Sequence, residues 1–253
     1  MSTAPDPWAI AEALRQWASD TDWVDWVELG GSLGRGGGDA LSDVDAGIGV
    51  DDPAGRLAAA REAAEAFAPV AGTLVQDLGG VDHLMVVYRD GRQLSLVVFD
   101  RERRDGLPPE ATALVDKSNR LATELDPERW DAGEATAREW TFLAWIAIGD
   151  AARHALRDHP WRALKALTDA RDNLWRLHAR TLGLPFPAFG AVTVENADAA
   201  APPGMRDTHP KDLSRKEIHG SLEALASLLE PHTEDDLAAV AATVAHRIGR
   251  LAD

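Results

Sequence analysis

Apolar residues along this chain follow two rhythms: mixed helix and strand spacings up to about residue 130, and a sustained 3.6-residue period beyond it. Asp6 followed by Pro7 predicts the start of a first helix, with an acidic N-cap and proline at the first helical position. Trp8, Ala11 or Ala13, Leu14 and Trp17 would form its apolar stripe. Strands are predicted over 22–29 and 43–50, and an alanine-rich helix over 53–68. Three further strands are predicted over 72–77, 83–88 and 93–99. The last two flank Arg89-Asp90-Gly91-Arg92, and Asp-Gly between apolar runs is a strong hairpin signal. A short strand over 113–116 ends this half.

In the second half, helices are predicted over 133–157 and 160–182, parted by Asp158-His159-Pro160. A loop rich in Ala, Pro and Gly is expected over 183–210, then helices over 212–230 and 234–251 divided at Pro231. Four helices with short turns predict an antiparallel bundle. The fold class is therefore α+β, with a mixed β-sheet and its helices over 1–125 and a C-terminal antiparallel helical bundle over 126–253. Tryptophans cluster within 8–26 and 130–175, which suits core and interface packing.

Composition narrows the function. At 253 residues, 45% apolar and 27% charged, the chain has enough material for a real core. No run of 18 or more apolar residues occurs, so no membrane span is expected. The opening MSTAPDPW lacks a basic segment and an apolar core, which argues against a secretory leader and for the cytoplasm. The absence of cysteine excludes disulfides and thiolate metal sites. A net charge of −16 argues against nucleic acid as a partner, because phosphates must be neutralised by Lys and Arg. The same charge suits a cationic substrate.

The candidate chemistry lies between Gly30 and Ile48, in GGSLGRGGGDALSDVDAGI. Gly31-Ser32 is followed by ten residues and then by Asp43-Val44-Asp45. In a strand, alternate residues share a face, so Asp43 and Asp45 would sit together and share divalent cations. A glycine-rich turn offers backbone N–H groups to phosphate oxygens. Loop and paired carboxylates together suit a metal-bound nucleoside triphosphate.

Gly31, Ser32, Asp43, Val44 and Asp45, with Arg35-Gly36, Asp39-Ala40 and Ser42 between them, resemble the signature of the DNA polymerase β-like nucleotidyltransferase superfamily. Among its members they look most like the small bacterial antibiotic nucleotidyltransferases, of aminoglycoside or lincosamide type. The resemblance covers about residues 24–100 and implies a small mixed sheet with helices on one face. It implies two Mg2+ ions held by Asp43 and Asp45, with ATP or another nucleoside triphosphate as donor. Gly31, Ser32 and Arg35 would then contact the triphosphate. A small-molecule acceptor, cationic like an aminoglycoside, would receive the nucleotide, and a homodimer stands as an open alternative to a monomer.

In kanamycin nucleotidyltransferase-like enzymes a glutamate of the helical domain is the catalytic base, which points here to Glu139, with Asp150 as its competitor. Lys165 and Arg171 on the next helix are further candidates for phosphate contacts. One departure stands out. Many relatives carry a third carboxylate on a later strand, where this chain has Ser95 within Leu94-Ser95-Leu96. Asp100, Asp82 and His83 are the nearby substitutes. Two other readings follow: a non-catalytic nucleotide-binding homologue, and an antitoxin-type protein adenylyltransferase. Arg171-Asp172 with His178 loosely resembles the signature of helical HEPN-type ribonucleases, which would add RNA cleavage to the latter.

Overall fold

The helix-start signal at Asp6 acts as the spacing suggests. In the computed structural model, which describes residues 6–252, the Asp6 carboxylate accepts from the Trp8 N–H and opens α1 (Pro7–Asp20). The buried stripe is Ile10, Ala11, Leu14 and Ala18. Trp8 was expected on that stripe but is exposed, because Ile10 takes the inward position. Residues 1–5, used above in the argument about a leader, lie outside the described residues.

The chain divides into two compact units, Met1–Pro127 and Glu128–Asp253. The first is built on six strands: β1 (Val24–Leu29), β2 (Val44–Val50), β3 (Val70–Asp77), β4 (Asp82–Tyr88), β5 (Gln93–Asp100) and β6 (Thr112–Asp116). They lie in the order β3-β4-β5-β2-β1-β6. Among the six described strands β2 and β5 pair in parallel and the other pairs are antiparallel, so the sheet is mixed. The Asp90-Gly91 hairpin forms as predicted, with Gly91 at φ +92° and its N–H donated to the Tyr88 carbonyl.

The central strand β2 alternates along its length. Val44, Ala46, Ile48 and Val50 join a core with Ile10 and Leu14 of α1 and with Ala60 and Ala64 of α3 (Pro53–Ala66). Burying a side chain such as Ile10 or Leu14 contributes roughly 1.5–3 kcal/mol. The Tyr88 hydroxyl ties α3 to β4 by donating to the Ala64 carbonyl at 2.8 Å. By strand alternation, Asp45, Gly47 and Gly49 point to the opposite face. There Trp26 and Phe99 pack together, and the Arg104 guanidinium lies 4.9 Å from the Phe99 ring centre. A Cβ on Gly49 would lie 2.0 Å from the Trp26 ring, so only glycine lets the indole down onto β2. Arg104 makes a two-pronged ion pair with the buried Glu28 beside Gly47. This aromatic and ionic plug fills one end of the face, and the end bearing Asp45 is left more exposed.

The second unit is helical: α4 (Glu134–Leu156), α5 (Pro160–Thr181), α6 (Ala191–Asn196), α7 (Arg215–Leu229) and α8 (Ala238–Gly249). Residues 157–159 turn α4 back onto α5, and Ser214 caps α7 through the Glu217 N–H. Trp140, Trp145, Leu167, Leu174, Leu222 and Ile248 belong to one core. The stretch over 183–210 is more ordered than a loop, since it holds α6 and two 3-10 turns. Val194 and Met205 supply the reason, both being buried. Among the described residues no helix is long and apolar enough to cross a membrane.

Candidate active site

The glycine-rich segment after β1 is not all loop. Gly31–Gly34 forms α2, a single turn of helix. The N–H groups of a helix's first turn have no acceptor within the helix, which leaves those of Gly31, Ser32 and Leu33 as donors at its start. Such donors suit anionic oxygens. The turn is pinned to β2 by the Gly30 N–H, which donates to the Asp45 carbonyl at 2.9 Å. Gly31 has φ +59°, and a Cβ there would lie 2.3 Å from Asp45 Oδ2. The glycine-rich turn and the Asp45 carboxylate therefore lie against each other, and glycine is the residue that permits it.

Asp43 precedes β2 and Asp45 is its second residue, both exposed. The loop before them is closed by a side-chain turn, with Leu41 N–H donating to Asp39 Oδ1 at 2.8 Å and Asp39 N–H to Ser42 Oγ at 3.0 Å. Asp45 is raised above the ordinary carboxylate value of 3.8, first by desolvation and then by the charge of Asp43. Hydrogen bonding from Ser95 and the charges of His83 and Arg35 act in the opposite sense. The charge of Asp43 disfavours the charged form of Asp45, so the pair makes a site short of positive charge. That chemistry fits a divalent cation. Among the described residues no cluster of three or more Asp, Glu, His or Cys is placed to hold a metal, so an ion held by this pair would need water or ligand oxygens to complete its shell.

Ser95 stands directly across from Asp45 in the register of β2 and β5, at the position where a third acid was expected. Its Oγ is 2.8 Å from His83 Nε2 on β4. Asp100 pairs with Val50 at the far end of β2 and caps the turn at Arg101–Arg103, so it is not a substitute. Asp82 precedes His83 and alternation turns it to the other face. Arg35 reaches Glu110 at 3.6 Å, while its charge is still felt at Asp45.

The expected residues of the helical unit fare differently. Glu139 is exposed on α4, next to the buried Trp140. Asp150 pairs with Arg153 at 2.8 Å. Lys165 is exposed and pairs with Asp169 one turn on. Arg171 requires correction as a phosphate ligand. It is only 7% exposed and donates to the Thr208 carbonyl at 2.8 Å and to Thr168 Oγ1 at 2.9 Å. The HEPN-like resemblance loses its basis with it, since His178 Nε2 bonds the Ala200 carbonyl at 2.9 Å and both side chains brace the chain around 200–208. A cleft of about 190 Å3 in this unit is lined in part by Glu134, Arg138, Arg180 and His232, and none of the expected residues lines it. The Glu28–Arg104 pair was missed altogether. Its one signal was a glutamate within an otherwise apolar strand, Val27-Glu28-Leu29.

No family model matches this sequence and no curated protein matches it. Among solved structures, an aminoglycoside 6-adenyltransferase from Bacillus subtilis aligns over 98% of this chain and 92% of its own, with 12% identity and a TM-score of 0.36. A nucleotidyltransferase-like protein from Exiguobacterium sibiricum 255-15 aligns over 89% of this chain and 74% of its own, with 14% identity and a TM-score of 0.41. Both likenesses are remote, and the reading of the site rests on its own geometry.

Proposed function

We propose that this protein is a nucleotidyltransferase that moves a nucleoside monophosphate, AMP in the first instance, from a metal-bound triphosphate to a hydroxyl of a small cationic acceptor. The observation that carries this reading is the contact between Gly31 and Asp45, which sets phosphate donors against cation ligands. Asp43 and Asp45 would hold magnesium, which prefers one or two carboxylates plus phosphate oxygens. The ion would supply charge neutralisation at the triphosphate. The N–H groups of Gly31, Ser32 and Leu33, with the Ser32 hydroxyl, receive the terminal phosphates, and Arg35 adds positive charge from the loop.

The reaction forms one bond from the acceptor oxygen to the α-phosphorus and breaks the bond to pyrophosphate. A carboxylate must take the hydroxyl proton. Glu139 is favoured over Asp150 because Asp150 is already ion-paired with Arg153. The net charge of −16 supports a cationic acceptor of the aminoglycoside type, whose modification would confer resistance. Against a non-catalytic role stands the Asp43–Asp45 repulsion, an unfavourable arrangement that a bound cation relieves.

The test is a panel of aminoglycosides and lincosamides incubated with magnesium and each nucleoside triphosphate. Mass spectrometry should find an added nucleotide with wild-type protein and none with D43A or D45A. Equal magnesium-ATP binding by wild type and both variants would remove the metal-site claim.

A further inference from the structure

Asp45 is constrained from two sides on the open sheet face. Oδ2 lies against Gly31, and Ser95 faces the carboxylate across the parallel β2–β5 register. One strand further out, His83 Nε2 is 2.8 Å from Ser95 Oγ. Hydrogen bonding from Ser95 favours the ionised form of Asp45; an ionised carboxylate is an acceptor only, so the serine proton serves that bond and the imidazole supplies an N–H to Ser95 Oγ. His83 is thereby held as the Nε2–H tautomer. Its Nδ1 is buried and has no hydrogen-bond partner.

A carboxylate that bridges two cations through its two oxygens must offer a lone pair on each. Asp45 has part of that capacity taken by a hydroxyl, and the position that a third carboxylate would occupy holds that same hydroxyl. Two carboxylates, triphosphate oxygens and water complete the shell of one magnesium. Paired cations stand about 3.5–4 Å apart, and with Ser95 in place of a third carboxylate this face offers only Asp43 and Asp45 to hold both. We infer, building on the nucleotidyltransferase reading above, that the His83–Ser95–Asp45 chain makes this a one-cation site, with His83 as the positioning residue that aims the Ser95 hydroxyl at Asp45. Two ions, the number implied by family resemblance, do not fit the residues present.

The test counts Mn2+ by electron paramagnetic resonance on the full chain, with a non-hydrolysable ATP analogue bound. Wild-type protein should hold one Mn2+ per chain, and S95D, which restores a carboxylate, should hold two. H83A should weaken Mn2+ binding by about 10-fold, as loss of a group that orients a metal ligand does. H83Q, which keeps an N–H where Nε2 stood, should restore it. Two Mn2+ on wild type would overturn the inference and leave the nucleotidyltransferase reading intact. An S95D chain that still holds one ion, or an H83A chain with undiminished affinity, would overturn the roles given to Ser95 and His83. No ion on wild type, or undiminished binding by D43A and D45A, would sink both readings together.

Discussion

Gly31 and Asp45 occupy neighbouring space so closely that a single added carbon on Gly31 would lie 2.3 Å from Asp45 Oδ2. Gly31 also sits at φ +59°, where an L side chain is strained. G31A should therefore displace the carboxylate or unwind α2, costing about 1–2 kcal/mol of stability. Metal-nucleotide affinity should fall further than this stability loss explains. Titration calorimetry alongside urea unfolding checks the pair of effects, and unchanged affinity in G31A would contradict the contact.

The raised Asp45 carboxyl sets a pH dependence. Its native form keeps a proton that the unfolded chain has already released, so metal-free stability falls as pH rises from the ordinary carboxylate value of 3.8 up to Asp45's own higher value. D45N lacks this loss, so its stability advantage over wild type should grow as pH rises from the ordinary carboxylate value of 3.8 and level off above Asp45's own raised value. Thermal melts in chelator measure it.

Cation binding, on the proposed reading, should run the other way over the same window. A divalent ion must displace the Asp45 proton, so affinity should rise with pH through that range and flatten above it. Calorimetry in two buffers of different ionisation heat should report proton release only at the acidic end. Release that persists undiminished well above neutral pH would point to a different ligand.

Glu28 and Arg104 form a pair whose side chains are 8% and 18% exposed. R104M leaves the Glu28 carboxylate buried without a partner and should cost about 3–5 kcal/mol. E28Q/R104M removes the stranded charge and should recover a large part of that loss. Denaturant unfolding of the single and double variants decides it.

Arg171 gives an outcome opposite to its sequence-level promise. Its guanidinium holds the Thr208 carbonyl inside the helical unit, so R171A should lower bundle stability by about 1.5–3 kcal/mol. The KM for nucleotide in the folded fraction should stay within about twofold, a difference of well under 1 kcal/mol. A large rise in KM at unchanged stability would return Arg171 to the site.

The fold was legible where local rules dominate. Asp6-Pro7, Asp90-Gly91 and the alternation of β2 depend on residues near in sequence, and all three appear in place. Sites that depend on which strands neighbour one another were not legible in the same way. Glu28 and Arg104 are 76 residues apart, and nothing local joins them. Arg171 read as a candidate phosphate contact from its place on the second long helix, while its burial comes from the segment around Thr208 folding back over it.

Local sequence determined the short-range chemistry of this protein: a glycine-rich turn, two aspartates at strand spacing, and a helical second half. Tertiary structure alone decided the company Asp45 keeps. The parallel pairing of β2 with β5 and the hairpin to β4 bring Ser95 and His83 beside it. Hydrogen bonds and charge coupling act over a few ångströms of space, whatever the distance along the chain. Strand order, which no local pattern encodes, therefore sets the character of the site.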